Sequence, residues 1–256
     1  MKIKFLGTGT SQGIPVIGCD CPVCVSKDPR DKRLRNSLLV ETDSTALCID
    51  AGPDFRQQML REKILKLDAI LITHEHTDHI MGLDDIRGFN RKQKSPLKIY
   101  AEPRVHLAIR NVFSYAFKED NYPGTPKMDL RPLVENEKIT IGDIIAEPLR
   151  VNHYKLPILG FRINQMAFIS DVTDIPETTM KKLYGIDTLV IEALRYKPHI
   201  SHFTLPQALD LIEKLKPHRT YLMHMNHHIG LHAELEKQLP AGVFPAYDGL
   251  EVELHK

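Results

Sequence analysis

The chain of 256 residues is 42% hydrophobic and carries 34 Lys and Arg against 33 Asp and Glu, a formal net charge of +1. This length and apolar content can build a sizeable core, read here as one domain over residues 1–256. The near-neutral charge supplies no global field toward nucleic acid or membrane, so any phosphate binding must be local. No apolar run is long enough for a membrane span or a signal peptide, so a cytoplasmic location is expected, where clustered cysteines serve as metal ligands more often than as disulfides.

In chain order, the first strand signal is KIKFLG (2–7), which runs into GTGTSQG (7–13). That glycine-rich stretch lacks the Lys of a phosphate loop, and Gln12 stands where a dinucleotide fingerprint needs Gly, so a tight turn is expected. CDCPVC (19–24) follows with three of the four cysteines, then KDPRDKRLR (27–35), read as a solvated face with phosphate contact as the minority reading. Further strand signals are SLLVET (37–42), TALCID (45–50), DAILIT (68–73) and LKIYAE (97–102), with a helix at DFRQQMLREKI (54–64). A helix is also expected at EPRVHLAIRNVFSYAF (102–117), and KEDNYPGTPKMDLRP (118–132) reads as a connection, either a plain surface loop or a lid. The second half gives strands at DIIAEPLRV (143–151), LGFRIN (159–164), MAFISD (166–171), DTLVIEA (187–193), RTYLMHM (219–225) and LEVELHK (250–256). Its helices are PETTMKKLY (176–184), TLPQALDLIEKLK (204–216) and HAELEKQL (232–239). Hairpin-like early strands and later strands alternating with helices predict an α/β sandwich of two sheets with helices outside, with a doubly wound parallel sheet as the competing topology.

The chemistry is concentrated in HEHTDHIMGLDD, which places His74, His76, Asp78 and His79 directly after an apolar strand. Imidazoles and a carboxylate suit zinc, manganese or iron, and four such ligands are more than one catalytic ion with an open position needs. Two ions in one pocket need further donors, and His153, Asp171 and His224 each end or follow a β-like run. A carboxylate such as Asp171 can bridge ions about 3.5–4 Å apart with a hydroxide between them as nucleophile. Cys19, Cys21 and Cys24 offer three soft ligands to a structural zinc, which wants a fourth. Cys48 lies inside an apolar strand and reads as a small buried residue; His227, three positions after His224, fits better, with His228 as the alternative.

Together FLGTGTSQG, CIDAG, THEHTDHIMGLDD, VNH, ISD, LMHMNHH and YDGLEVE resemble the metallo-β-lactamase superfamily over nearly the whole chain. The resemblance implies an αββα sandwich with metals at one edge. It implies His74, His76 and His153 on one ion, Asp78, His79 and His224 on the other, Asp171 between them, and Asp50 bracing the metal loop. Within the superfamily the chain is similar to the cyclic phosphodiesterase branch of the PhnP type, in which a cysteine-rich loop and one late histidine hold a separate structural zinc. That implies Cys19, Cys21, Cys24 and His227 as its ligands. It further implies catalytic roles for Asp78 and for His202, ahead of the 204–216 helix, as general acid or phosphate donor, with His199 a weaker competitor and a helix cap the structural reading of His202. The function implied is hydrolysis of a small, cyclic phosphodiester of a sugar or nucleotide by a homodimer with two catalytic Mn²⁺ or Zn²⁺ ions. Thioester or lactone hydrolysis, RNA 3′-end processing and a non-enzymatic metal scaffold are the alternatives; near-neutral charge and the lack of a Gly/Pro-rich arm argue against RNA.

Overall fold

The computed structural model describes residues 1–120 and 122–254. Asn121, within the predicted 118–132 connection, and His255 and Lys256, at the end of the predicted 250–256 strand, lie outside the described residues. In the first sheet are β1 (Lys2–Gly7), β2 (Ser37–Glu41), β3 (Ala46–Ile49), β4 (Ala69–Leu71), β5 (Leu97–Ala101) and β6 (Met128–Pro132). The second holds β7 (Ile139–Ile141), β8 (Ile144–His153), β9 (Leu156–Ile163), β10 (Met166–Ile169), β11 (Thr188–Glu192), β12 (Arg219–Met223) and β13 (Val243–Pro245). A last strand, β14 (Glu251–Glu253), returns to the first sheet beside β1. The orders are β14-β1-β2-β3-β4-β5-β6 and β13-β12-β11-β10-β9-β8-β7, so the single doubly wound sheet is not the topology.

Alternation explains why these strands are apolar throughout. Ile3, Phe5, Leu38, Val40, Leu47 and Ile49 of the first sheet share one core with Phe161, Phe168, Val190 and Met223 of the second. The intervening Leu39, Cys48 and Ile70 pack outward on helices, including Phe55 and Met59 of the Phe55–Arg61 helix. On the far side, Ala167, Ile169, Leu189 and Ile191 pack on Leu205, Ala208 and Leu211 of the Leu205–Leu215 helix. A sheet covered on both faces needs apolar residues at both phases, which gives the αββα sandwich.

Three strands were not anticipated, β6, β7 and β13, and each is the edge of its sheet. Edge strands are short and mixed in polarity, so neither alternation nor a continuous apolar run marks them. β6 occupies the end of the 118–132 segment and pairs in parallel with β5, so that part is sheet and not connection. The predicted 102–117 helix ends at Val112 and continues as a 3₁₀ turn over Ser114–Phe117, and a helix over Arg87–Gln93 went unread.

Parallel pairing sets the position of the site. β3, β4 and β5 run in parallel, as do β10, β11 and β12, while β8 reaches the same direction through antiparallel β9. The chain therefore leaves β3, β4, β8, β10, β11 and β12 with strand C-termini that bear Asp50, His74, His153, Asp171, Glu192 and His224.

Before β2 the chain makes a long excursion that carries the cysteines, and a buried clamp holds it. Arg33 donates to Thr8 Oγ1 at 2.8 Å and to the Ala246 carbonyl, and meets His232 Nδ1 at 3.2 Å, while His232 N donates to Asp31 Oδ1 at 2.7 Å. An imidazole nitrogen that accepts from a guanidinium must be unprotonated; burial, then the Arg33 and Arg30 charges, push His232 from 6.5 down to about 4. The unfolded chain takes up this proton first, so the clamp contributes fully above 6.5 and its contribution is lost as pH falls toward about 4. His232→Asn, whose amide oxygen accepts without titrating, tests the sign. Wild-type Tm should fall relative to the variant between about pH 7 and about pH 4.5, whereas parallel Tm curves would exclude the clamp as a titrating element.

Candidate metal centres and substrate cleft

Two turns from the first sheet interlock. Ala51 N donates to the His79 carbonyl and Gly82 N to the Ala51 carbonyl, both at 2.8 Å. A Cβ on Gly52 would overlap the Asp78 carbonyl oxygen, which is why CIDAG ends in glycine. Asp50 turns into left-handed backbone at φ 61° and is fully buried. Its carboxylate accepts from Thr73 N at 2.9 Å, from Thr73 Oγ1 at 3.0 Å, and from His79 Nδ1 at 2.7 Å. Asp171 (φ 56°) and His224 (φ 54°) share the left-handed conformation, uncommon for residues other than glycine and concentrated at functional sites.

In His74, His79 and His153 a neighbouring oxygen engages Nδ1. His74 Nδ1 is 3.0 Å from Thr73 Oγ1, His79 Nδ1 is held by Asp50, and His153 Nδ1 donates to the Ser201 carbonyl at 2.7 Å. His224 Nδ1 lies 3.4 Å from Glu192 Oε2. Such bracing fixes tautomer and ring orientation in metal sites. His76 is the exposed member, its Nδ1 2.9 Å from His74 Nε2.

Four overlapping groups of potential ligand atoms lie at this edge, each with its atoms within 4.8 Å of one another: His74, His76 and His153; Asp78, His79, Asp171 and His224; His153, Asp171 and His202; and Glu192, His202 and His224. Asp171 spans the second group, Oδ2 at 3.4 Å from His79 Nε2 and Oδ1 at 3.3 Å from His224 Nε2. Asp78 Oδ2 is 3.3 Å from His79 Nε2. Nε2 of His79 and both ring nitrogens of His224 are buried without a hydrogen-bond partner among the described residues. Buried imidazole nitrogens that face carboxylates without hydrogen-bonding them are what divalent cations would satisfy, so the residues fit catalytic metal ions. The protein's own fields are strong here. Burial opposes charge on His79, yet Asp78, Asp50 and Asp171 raise it well above the usual histidine range. Burial likewise opposes ionisation of Asp171, but His224, His79 and His74 hold its carboxyl far below the usual range.

His202 lies beside this cluster, its ring 4.8 Å from that of His153 and 5.1 Å from that of His224. It does not cap the following helix. Thr204 does, in a capping box with Gln207. Instead His202 Nδ1 meets Glu192 Oε2 at 2.9 Å, and Glu192 Oε1 accepts from Phe203 N at 3.3 Å and from Val172 N. Glu192 went unread in the sequence although it carries the signal of Asp50 and Asp171, an acidic side chain closing an apolar strand. Ser201 acts through its carbonyl, which no side-chain pattern reveals.

The cysteine cluster is separate. Cys19 Sγ and Cys21 Sγ lie 3.3 Å, and Cys24 Sγ 3.5 Å, from His227 Nδ1, and the four ligand atoms form one group without His228. Three sulfurs around one nitrogen fit a closed tetrahedral zinc site. Cys48 is buried against Ser37 Oγ at 3.3 Å, apart from that group. Met225 N donates to Thr8 O at 3.0 Å and Thr10 N to Met225 O at 3.1 Å, so the turn from His224 to His227 also carries the N-terminal GTGT segment. Cys21→Ser should reduce bound zinc by one ion per chain and lower Tm; unchanged metal content by elemental analysis would remove this cluster from metal binding.

A cleft of about 300 Å³ opens between the two clusters, lined in part by Thr10, Gln12, Arg195, His199 and His202. The glycine-rich turn thus borders the site, a placement that its lack of a nucleotide fingerprint concealed. Among the described residues no helix is long and apolar enough to cross a membrane.

Known proteins match this architecture. The model of the beta-lactamase superfamily domain matches residues 45–225, and the chain belongs to the metallo-β-lactamase superfamily. Within it the chain is a PhnP-like hydrolase: the crystal structure of a new diphosphatase from the PhnP family superposes with a TM-score of 0.91 at 40% identity, covering 98% of this chain and 96% of that one. An octanoyltransferase of Porphyromonas gingivalis is 44% identical over 253 residues, 98% of this chain and 51% of the relative. A ribonuclease Z of Methanococcus aeolicus is 29% identical over 193 residues, 71% of this chain and 50% of the relative. The chain thus spans about half the length of these two relatives.

Proposed function

We propose that residues 1–256 form one metal-dependent phosphodiesterase domain that hydrolyses a small phosphodiester, with cyclic phosphates of sugars or nucleotides as the favoured class. His74, His76 and His153 would hold one divalent ion, Asp78, His79 and His224 a second, with Asp171 shared; Mn²⁺ and Zn²⁺ both suit these donors. Such ions supply Lewis acidity toward phosphoryl oxygens and activate water near neutral pH.

The observation that carries the reading is His202. With Nδ1 engaged by the buried Glu192 carboxylate and 3.7 Å from Asp171 Oδ1, Nε2 is the nitrogen available to a substrate in the cleft. A proton held at Nε2 can pass to the departing alkoxide oxygen, and Glu192 stabilises the imidazolium from which it leaves. The likeness to a diphosphatase supports cleavage at phosphorus.

Thioester or lactone hydrolysis is the second reading, favoured by the octanoyltransferase relative. The cleft weighs against it, since among the described residues Leu194 is the only aliphatic side chain in its lining and an acyl chain needs an apolar channel. The match covers 51% of that relative, so its name describes more than the region shared with this chain. With Mn²⁺ or Zn²⁺ added, the protein should turn over an aryl phosphodiester, and His202→Ala should lower kcat about 10²–10⁴-fold with metal content unchanged. Full activity in the variant would remove His202 from the mechanism, and turnover of a thioester but no phosphodiester would overturn the reading.

A further inference from the structure

In the group of His74, His76 and His153, two rings are held by oxygens, Thr73 Oγ1 and the Ser201 carbonyl, and His76 is the exposed member whose Nδ1 faces only His74 Nε2. The chain beside His76 is held instead. Glu75, between the two histidines, accepts from Arg104 Nη1 through both carboxylate oxygens, Oε1 at 2.5 Å. Arg104 lies in the first turn of the Pro103–Val112 helix, and its Nη2 donates to the Pro157 carbonyl and, at 3.3 Å, to Glu102 Oε2. Pro157 belongs to β9, one residue past Leu156, the partner of His153 across the β8–β9 hairpin. Arg150 of β8 holds Glu102 in turn, Nη2 at 2.5 Å and Nη1 at 3.1 Å, and its Nε reaches Glu135 at 3.1 Å. Arg104 thus joins the turn that carries His74 and His76, from the first sheet, to the hairpin that carries His153, from the second.

We propose that Arg104 is a positioning residue for one metal ion: through Glu75 and the Pro157 carbonyl it holds His76 against His153, and so sets the affinity of the site formed by His74, His76 and His153 while touching neither ion nor substrate. The inference rests on the two-ion site of the proposed function, but not on which substrate that site cleaves. An isolated exposed ion pair would be too weak for this role. Here Glu75 and Arg104 are 26% and 31% exposed, Glu102 and Arg150 only 15% and 18%, and shared, multidentate bonds fix geometry as well as charge. A planar guanidinium meets Glu75, Glu102 and the Pro157 carbonyl at once, a spread that a lysine ammonium does not have. The other ion's ligands are held differently, His79 by buried Asp50 and His224 beside buried Glu192, so loss of Arg104 should spare them.

The test is calorimetric titration of chelator-stripped protein with Mn²⁺, which nitrogen and oxygen ligands accept and thiolates disfavour. Wild type, Arg104→Ala, Arg104→Lys, Glu75→Gln, His76→Ala and the Arg104→Ala/His76→Ala double variant are compared. In Arg104→Ala one of the two Mn²⁺ affinities should fall by about tenfold or more with the other unchanged, and Arg104→Lys should not restore it. Glu75→Gln leaves the bonds of Arg104 to the hairpin in place, so it tests the link even if Arg104→Ala fails to fold, and it should weaken the same ion. In the His76→Ala background, where the positioned ligand is gone, Arg104→Ala should add little to the loss. Unchanged affinities, equal losses at both ions, or a full further loss in the His76→Ala background would overturn the proposal and leave Arg104 a general structural residue. Uptake of a single Mn²⁺ by the wild type would instead refute the two-ion reading, and the positioning role with it.

Discussion

Asp50 is buried at the end of β3, and its carboxylate is divided between Thr73, at the end of β4, and His79, a turn later. A buried carboxylate without partners is expensive, so once the sheet has formed these bonds are obligatory. The carboxylate fixes the His79 tautomer, and the backbone bonds from Ala51 and Gly82 fix where that turn lies. Everything else at the metal edge is registered on this point. Asp78 and Asp171 face the Nε2 that Asp50 directs, and Asp171 carries the constraint across to His224 of the second sheet.

Glu192 repeats the arrangement on the second sheet. It is buried, lies at a strand end, accepts from two backbone amides, and meets His202 and His224. Each sheet thus contributes one buried carboxylate that holds imidazoles from behind. The turn that starts at His224 also reaches His227 and the cysteines, so the proposed zinc staple and the catalytic edge share four residues of backbone. The Arg33 clamp secures the other end of the cysteine-bearing excursion.

Much of this was legible in the sequence, for physical reasons. Strands buried on both faces are continuous apolar runs, and a polar residue that ends such a run stands out, as His74, His153, Asp171 and His224 do. The edge strands β6, β7 and β13 were not legible, because half their surface meets solvent and their pattern is that of a loop. Glu192 was missed because it lies within DTLVIEA, where it reads as one more strand residue, although a lone acid among Leu, Val and Ile is itself a signal. Ser201 acts through a carbonyl and Gly52 through the absence of a side chain, and only three-dimensional proximity reveals either. The sequence offered His227 with His228 as the alternative; their rings lie 4.0 Å apart in the 3₁₀ turn, and His227 is the one whose Nδ1 meets the thiols.

A two-ion site built from strand ends of both sheets, separate from the cysteine site, has a spectroscopic signature. Titration of chelator-stripped protein with cobalt(II), followed by electronic absorption, tests it most directly. Three ions per chain are expected, one with intense sulfur-to-metal charge transfer from Cys19, Cys21 and Cys24 and two with only the weak bands of nitrogen and oxygen ligation, these two weakened in Asp171→Ala. Saturation after the thiolate-bound ion alone would contradict it.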